Sequence, residues 1–179
     1  MVDDKQLAEK FHNGDLEALE IIVELYQQIV FRMGLKLFGH QAEAADFVQD
    51  AILHAFEKRG KFNPSKPLKP WFLKVALNVG RMKLKSHREY PMGDCLPEQY
   101  DEAIGDNRLI KEEQKSQVHK ALSKLSPKYR ESLLLRFEAE LSLKEIAETL
   151  GISLGTVKSR LSRGLVSFQE AFQAVGGEA

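Results

Sequence analysis

The sequence contains a single cysteine, Cys95, among 179 residues. One thiol cannot form an internal disulfide, and it excludes metal sites built from several cysteines. We interpret Cys95 as an unreactive thiol in a loop. No apolar run approaches the roughly 20 residues of a membrane helix, and the N-terminus lacks the apolar segment of a signal peptide. These absences predict a soluble protein of the cytoplasm.

Signatures of catalysis are absent as well. The sequence has no Gly-rich phosphate loop, no nucleophile elbow and no spacing of Cys and His residues typical of a metal site. We therefore expect no catalytic residues, no metal, no cofactor and no enzymatic activity.

The chain also lacks an excess of charge of either sign, because 26 basic residues balance 26 acidic ones. The balance hides a strong segregation along the sequence. Residues 58–88 carry 10 basic and no acidic side chains, whereas residues 1–57 carry 4 basic and 11 acidic ones. A cationic block that follows an acidic one indicates a polyanionic partner.

Apolar residues recur at helical spacing, and no segment alternates as a strand would. In the N-terminal half we predict four helices. The first covers residues 4–12, and the second runs from the N-cap Asp15 to its end at Gly39. The third covers residues 41–59 and the fourth residues 71–88, with Pro70 in its first turn. The residues expected to face the core are Leu16, Leu19, Val23, Tyr26, Val30, Met33 and Leu37 in the second helix, Ala45, Val48, Ile52 and Phe56 in the third, and Phe72, Val75, Ala76 and Val79 in the fourth.

Residues 89–115 mix proline, glycine and acidic residues without a clear amphipathic pattern before Leu109. A loop of this length inside one compact domain would be unusual, so we predict a flexible linker. Four helical patterns follow it. The first covers residues 117–125, and the second follows Ser126-Pro127, with Leu133, Leu134 and Phe137 inside. The third begins at the capping box Ser142 to Glu145, and the fourth runs from Leu154 to about Phe172 and is capped by Ser153. The expected fold is all-α, with two small helical domains.

The last two helices have the pattern of a helix-turn-helix. Ala147 is small where the helices would touch, and Gly151 tolerates the positive φ of the turn. The following helix carries hydroxyl and cationic side chains and no acid before Glu170, which suits a major groove. A helical hairpin with a purely structural role is the alternative. The candidate DNA contacts are Ser153, Thr156, Lys158, Ser159, Arg160 and Arg163.

The cationic block 58–88 contains aromatic side chains among its Lys and Arg residues. Phe62 and Trp71 could pack on unstacked bases, and Asn78 follows Trp71 on the same helical face. Two alternatives stay open at this point: the block is a solvated cationic face, and Trp71 is a core residue.

A third signal is the segment 46–50 of the third helix. Asp46 and Asp50 lie one turn apart with Gln49 beside them. No further ligand completes a metal site, although His54 follows one turn later. The segment is therefore either a solvated acidic face or a surface that docks another protein.

Taken in order, these segments resemble an extracytoplasmic-function (ECF) sigma factor of bacterial RNA polymerase, a member of group IV of the sigma-70 family. The resemblance covers about residues 5–88 and 117–173. Its most specific stretches are the Asp46–Asp50 helix, Trp71-Phe72-Leu73-Lys74-Val75-Ala76-Leu77-Asn78, Leu125-Ser126-Pro127-Lys128-Tyr129-Arg130 and Gly155-Thr156-Val157-Lys158-Ser159-Arg160-Leu161.

The resemblance implies a role for each segment. Residues 1–88 would be sigma region 2, 89–115 a linker, and 116–179 region 4 with a helix-turn-helix that reads the −35 element. Asp46, Gln49 and Asp50 would dock on the clamp coiled coil of the largest polymerase subunit, and region 4 would also meet the flap of the second large subunit. The residues implied in recognising and melting the −10 element are Phe62, Asn63, Lys66, Trp71, Lys74, Asn78, Arg81 and Lys85.

The resemblance further implies promoter DNA and an anti-sigma factor, commonly membrane-anchored in the family, as partners. This sequence departs from the family at Met82, where members often carry an acid, and in its proline-rich 62–67 loop. Two other classes compete: a stand-alone helix-turn-helix regulator, which leaves 58–88 unexplained, and a single-strand or RNA-binding module, which leaves the helix-turn-helix unexplained.

Overall fold

The computed structural model describes residues 4–89, which we call the N-terminal unit, and residues 106–176, which we call the C-terminal unit. Every regular element in these two units is helical, as the sequence predicts. The helices are α1 (Asp4–His12), α2 (Leu16–Phe38), α3 (Gln41–Glu57), α4 (Leu68–Glu89), α5 (Asp106–Lys124), α6 (Pro127–Phe137), α7 (Leu143–Leu150) and α8 (Leu154–Gln173), with a 3-10 turn over Arg59–Lys61.

Helix α5 begins at Asp106, inside the range predicted as a linker. Its early turns are rich in Lys, Glu and Gln, which favour a helix but leave no apolar stripe to signal one. Cys95 lies outside the described residues, because the structure describes no residue between Glu89 and Asp106.

Local signals in the N-terminal unit set the helix ends. The Asp15 carboxylate accepts a hydrogen bond from the Ala18 backbone N–H at 3.0 Å, so the predicted N-cap of α2 is confirmed. Gly39 ends α2 with a φ of 84°, a left-handed conformation that costs glycine little. Helix α4 starts at Leu68, three residues before the predicted start at Trp71, and Pro70 lies in its first turn as predicted.

The predicted core of this unit is correct for α4 and partly wrong elsewhere. In α2, Leu16 is 65% exposed because it is the first helical residue, and Ala18 and Ile22 take the core side. The apolar face of α3 is wide, so periodicity alone predicted a buried stripe one residue C-terminal to the observed one. Ala45, which was predicted to face the core, is exposed. The residues of α3 that are buried are Ala44, Phe47, Ala51 and Ala55, while Val48, Ile52 and Phe56 are half-buried beside them.

The helix-turn-helix of the C-terminal unit is confirmed. The Ser142 hydroxyl accepts from the Glu145 N–H at 3.3 Å, and the Glu145 carboxylate accepts from the Ser142 N–H at 2.8 Å. These hydrogen bonds with Ser142 hold the pKa of Glu145 below its usual range. Gly151 makes the turn with a φ of 66°, and the Ser153 hydroxyl caps α8 by accepting from the Thr156 N–H at 3.2 Å.

Helix α6 begins directly after Ser126, as predicted, and departs from the prediction at its C-terminal end. The Ser126 side chain makes no capping hydrogen bond, and Pro127 at the first helical position starts the helix through its fixed φ. Phe137 is 59% exposed rather than inside, because it is the last residue of α6 and its ring projects beyond the packed face.

Helix α2 packs on α5 and α4 packs on α7, so the two units are in direct contact, and polar contacts between described residues join them as well. The Arg32 guanidinium donates to the Glu138 carbonyl at 3.1 Å, and a ring nitrogen of His119 hydrogen-bonds the Lys36 carbonyl at 3.0 Å. The third contact, between α4 and α6, is described with the cationic residues below.

His119 lies half-buried at the end of α2 with its ring against Gly39. Burial lowers the pKa of His119 below its ordinary value of 6.5, and the nearby charges of His40 and Arg130 lower it further. The hydrogen bond to Lys36 and the charge of Glu43 oppose that shift.

Candidate protein and nucleic-acid interfaces

One exposed face of α3 carries the predicted docking residues, and we call it the acidic surface: Asp46, Gln49, Leu53 and Asp50. Asp46 and Gln49 are exposed, while the Asp50 carboxylate pairs with the Lys83 ammonium of α4 at 2.6 Å. Leu53, at 60% exposure, lies one helical turn further along the same face. The sequence analysis did not identify Leu53 or Lys83 as part of this surface. Leu53 could have been found, because it is an apolar residue outside the buried stripe of α3.

The cationic residues of α4 fall on one helical face. Residues spaced by three or four positions share a face, so Lys74, Asn78, Arg81 and Lys85 form a stripe along the helix, which we call the cationic stripe. Lys74 and Lys85 are exposed and Asn78 is half-buried. The stripe brings four of the eight predicted −10 residues together.

The two aromatic side chains of the block pack inward. Phe62 is 3% exposed, and its ring centroid lies 5.0 Å from that of Trp71. Trp71 is half-buried and also meets the ring of Phe11 edge-on at 6.0 Å. The expected stacking of Phe62 on a base does not fit this burial, because a base could reach the ring only if the core opened.

The loop between the 3-10 turn and α4 is exposed and tightly turned. The Asn63 side-chain oxygen accepts from the Ser65 N–H at 3.0 Å, and the Asn63 carbonyl accepts from the Lys66 N–H at 3.0 Å. Asn63 and Lys66 are both exposed at the end of the stripe where α4 begins. These bonds hold the loop in one conformation.

Arg81 is the best-anchored member of the cationic stripe. Its guanidinium forms a two-pronged ion pair with Glu131 of α6, Nε to Oε1 at 2.5 Å and Nη2 to Oε2 at 2.6 Å. Its Nη1 donates to the Asn78 side-chain oxygen at 2.9 Å. The hydrogen bond to Glu131 raises the pKa of Arg81. Sequence reasoning did not find Glu131, because the partner lies 50 residues away.

The exposed face of α8 gathers most of the predicted −35 residues. At about 100° per residue, Thr156, Ser159, Arg160 and Arg163 lie on one side of α8, with Ser159 and Arg163 exposed and Thr156 and Arg160 half-buried beside the packed side of Val157 and Leu161. We call these four residues the reading face. Lys158 is exposed but lies on the far flank of the helix. Ser153 is occupied as the cap of α8, with its hydroxyl 2.8 Å from that of Thr156.

An apolar groove of about 280 Å³ opens between α5, α6 and α8. Phe137 and Leu165 on its rim are 59% and 46% exposed, which is uncommon for large apolar side chains of one cluster. The groove is lined by Lys36, Val118, Leu122, Leu133, Leu134, Phe137, Glu138, Leu165 and Phe168.

Among the described side chains, those of residues 4–86 and 114–176, no group of three or more His, Cys, Asp or Glu is placed to hold a metal ion. No helix in those same ranges combines the length and the apolar content needed to cross a bilayer.

Comparison with known families matches both units. The model for sigma-70 region 2 matches residues 22–89, and the model for sigma-70 region 4 matches residues 115–167. The chain is 28% identical over 171 residues to the ECF RNA polymerase sigma factor SigW of Bacillus subtilis, covering 89% of this chain and 91% of that one. It is 30% identical over 142 residues to the RNA polymerase sigma factor SigV of the same organism, covering 78% and 82%.

A solved structure supports the same assignment. The sigma factor RpoE of Bartonella quintana, crystallised in complex with the anti-sigma factor NepR, is similar to this chain at 25% identity and a TM-score of 0.62, over 86% of this chain and 96% of that one. Both units, in the expected order, carry the helices of sigma regions 2 and 4. The chain therefore belongs to the ECF group of sigma-70 factors, initiation proteins without enzymatic activity that direct RNA polymerase to specific promoters.

Proposed function

We propose that three separate surfaces divide the work of initiation in this sigma factor: the acidic surface docks on the polymerase clamp, the cationic stripe engages the −10 element, and the reading face engages the −35 element. The observation that carries the proposal is the stripe, which aligns cations on one side of α4 over an otherwise packed helix. Residues 1–88 then act as region 2 and residues 116–179 as region 4, and they are joined by residues 89–115, in which α5 begins at Asp106. We place this work in the cytoplasm, where bacterial transcription takes place.

The acidic surface suits a basic coiled coil. Asp46 and Gln49 are exposed, and Leu53 adds an apolar contact at their side. Asp50 contributes less freely because Lys83 already holds its carboxylate. Asp46 is therefore the acid we expect to matter most for docking.

An Asp46→Lys variant tests the docking role. Removing one partner of a close interfacial charge pair costs about 2–5 kcal/mol, so co-purification with core polymerase should be lost while helix content is unchanged. Glu24→Lys, which reverses another exposed acid of the same unit, is the matched control and should co-purify normally. Retention of the Asp46→Lys variant on core polymerase would remove the acidic surface from the docking interface.

The cationic stripe suits a single strand. Lys74 and Lys85 can follow the phosphates, and Asn78 and Arg81 offer donors to a base edge or a phosphate. Asn63 and Lys66 extend this surface into the exposed loop. Trp71 is half-buried on Phe62, so we assign both rings to holding the loop against α4 rather than to stacking on bases.

Lys74→Ala tests the stripe in holoenzyme. One lost contact to a single strand reduces the salt dependence of binding to a pre-melted promoter by about 0.7 in the log–log slope, and permanganate reactivity of unpaired thymines should fall. Lys61→Ala removes an exposed cation of the same block that lies outside the stripe, and it should leave both readouts unchanged. Equal effects of the two variants would make the block a solvated cationic face.

The reading face suits a major groove, and Lys158 provides an internal contrast. Arg160→Ala should cost about 1–3 kcal/mol at one or two base positions, because arginine reads base edges there. Lys158→Ala, on the far flank, should weaken binding by a similar amount on all sequences. Band-shift titration over a set of −35 variants measures both. A uniform loss for Arg160→Ala would reassign that residue to a phosphate.

The apolar groove of the C-terminal unit is where we place an apolar helix of the polymerase flap. Its exposed rim residues Phe137 and Leu165 are separate from the reading face. We also propose an anti-sigma partner, because the related RpoE was crystallised with NepR. A Phe137→Ser variant should lose binding to an isolated flap peptide while keeping −35 affinity, and retention of both would argue against the groove.

A further inference from the structure

The two carboxylates of the acidic surface differ in one respect. Asp46 is exposed and has no ion pair with any residue that the structure describes. The Asp50 carboxylate, one turn later, pairs with the Lys83 ammonium of α4, and the Nζ and Oδ2 atoms are 2.6 Å apart. One docking acid is therefore open to a partner, and the other is already engaged inside the molecule.

Lys83 is placed so that its charge serves Asp50 and not the DNA. It follows Lys74 in α4 by about nine residues, and at about 100° per residue the two side chains leave the helix on opposite sides. Lys74 belongs to the cationic stripe, whereas Lys83 reaches toward α3, which packs on α4. A strand bound along the stripe would leave the ion pair with Asp50 in place.

The ion pair is not needed to hold α3 and α4 together. Phe47 and Ala51 of α3 and Val79 of α4 are buried, and burial of apolar side chains supplies the main stabilisation of such packing. The Lys83 side chain is 26% exposed and that of Asp50 is 42% exposed, so the pair lies at the edge of the packed region, where a partner can reach it. Replacing Lys83 by another cation on Asp50 would thus leave the packing intact.

A basic partner has to compete for the Asp50 carboxylate. The ammonium already supplies a charge-assisted hydrogen bond to it, so an approaching Lys or Arg must displace Lys83 or share the carboxylate with it. Because the stem of Lys83 is largely covered by the protein, this pair forms with less loss of rotamer freedom than a pair of fully exposed side chains. The partner therefore gains less from Asp50 than from Asp46.

We propose that Lys83 lowers the affinity of this sigma factor for core polymerase by holding the Asp50 carboxylate, which the basic coiled coil of the clamp must take from it. The proposal rests on the docking role of the acidic surface. It makes Lys83 a positioning residue that sets the strength of docking through Asp50.

The test measures equilibrium binding of the full-length chain to core polymerase, by competition with a fluorescently labelled wild-type factor. Lys83→Met removes the charge and keeps an unbranched apolar stem, and Lys83→Arg keeps the charge. Lys10→Met, at an exposed position of α1, is the control for the loss of one cation from the same unit. Circular dichroism and urea titration establish that each variant is folded.

Lys83→Met should bind core polymerase about two- to fivefold more tightly, which is the range expected when a partly exposed ion pair no longer competes. Lys83→Arg should bind with wild-type affinity, and Lys10→Met should leave the affinity unchanged. In an Asp50→Asn background the gain from Lys83→Met should disappear, because there is no longer a carboxylate to release.

Unchanged or weaker binding of Lys83→Met would overturn the proposal, as would an equal gain in Lys10→Met. A gain that persists in the Asp50→Asn background would also overturn it, since Lys83 would then act on the clamp by its own charge and not through Asp50. Failure of the docking role itself has a different signature, because Asp46→Lys would then co-purify normally with core polymerase.

Discussion

Phe62 offers a sharp test of whether the aromatic side chains of the cationic block serve the core or the DNA. The ring is 3% exposed and lies 5.0 Å from the ring of Trp71. Truncating a buried phenylalanine costs about 3–5 kcal/mol of folding free energy. We expect Phe62→Ala to fall at the low end, about 3 kcal/mol, because the residue sits beside a loop that can partly close the cavity.

The assay is built into the sequence, since Trp71 is the single tryptophan and reports directly on the packing of Phe62. Urea titration followed by tryptophan fluorescence gives the free energy of unfolding. Phe62→Leu keeps most of the apolar volume and should cost less than about 1.5 kcal/mol. Its affinity for a pre-melted −10 strand should equal that of wild type.

The base-stacking role makes the opposite prediction for the same two variants. A ring stacked on a base contributes about 1–3 kcal/mol to binding, which leucine cannot replace. Unchanged stability in Phe62→Ala, combined with weaker strand binding in Phe62→Leu, would refute the core assignment.

Three further predictions concern stability. Ser142→Ala should lower the free energy of unfolding by about 1 kcal/mol through loss of the cap of α7, measured by thermal melting of the full chain. Burial lowers the pKa of His119 in the folded state, so its contribution to the free energy of unfolding should be constant above pH 6.5 and should decline as the pH falls below 6.5. Urea titrations should show a flatter decline for His119→Gln. Gly34→Ala should lower the free energy of unfolding by about 1–3 kcal/mol, because a Cβ there would lie 3.0 Å from the Ala44 Cα. In the control Gly60→Ala, the added Cβ meets nothing within 4 Å and should not destabilise the protein. Equal melting temperatures of the two variants would disprove this packing argument.

Local rules account for most of the helix ends that the sequence predicted. These local signals are Asp15, the Ser142 capping box and Gly151. Each acts over one turn of the chain, so its effect can be predicted without knowing the fold. The cationic stripe could also be predicted from the sequence, because helical spacing alone puts Lys74 and Arg81 on one face of α4.

Tertiary structure decided what periodicity could not. Phe62 was a candidate DNA contact, yet only the fold shows that its ring is buried in the core against Trp71. The centre of the buried face of α3 depended on where α2 approaches, which Gly34 allows. The Glu131 contact joins residues 50 positions apart, and no local pattern in the sequence encodes a pairing that forms only when two separately folded faces meet.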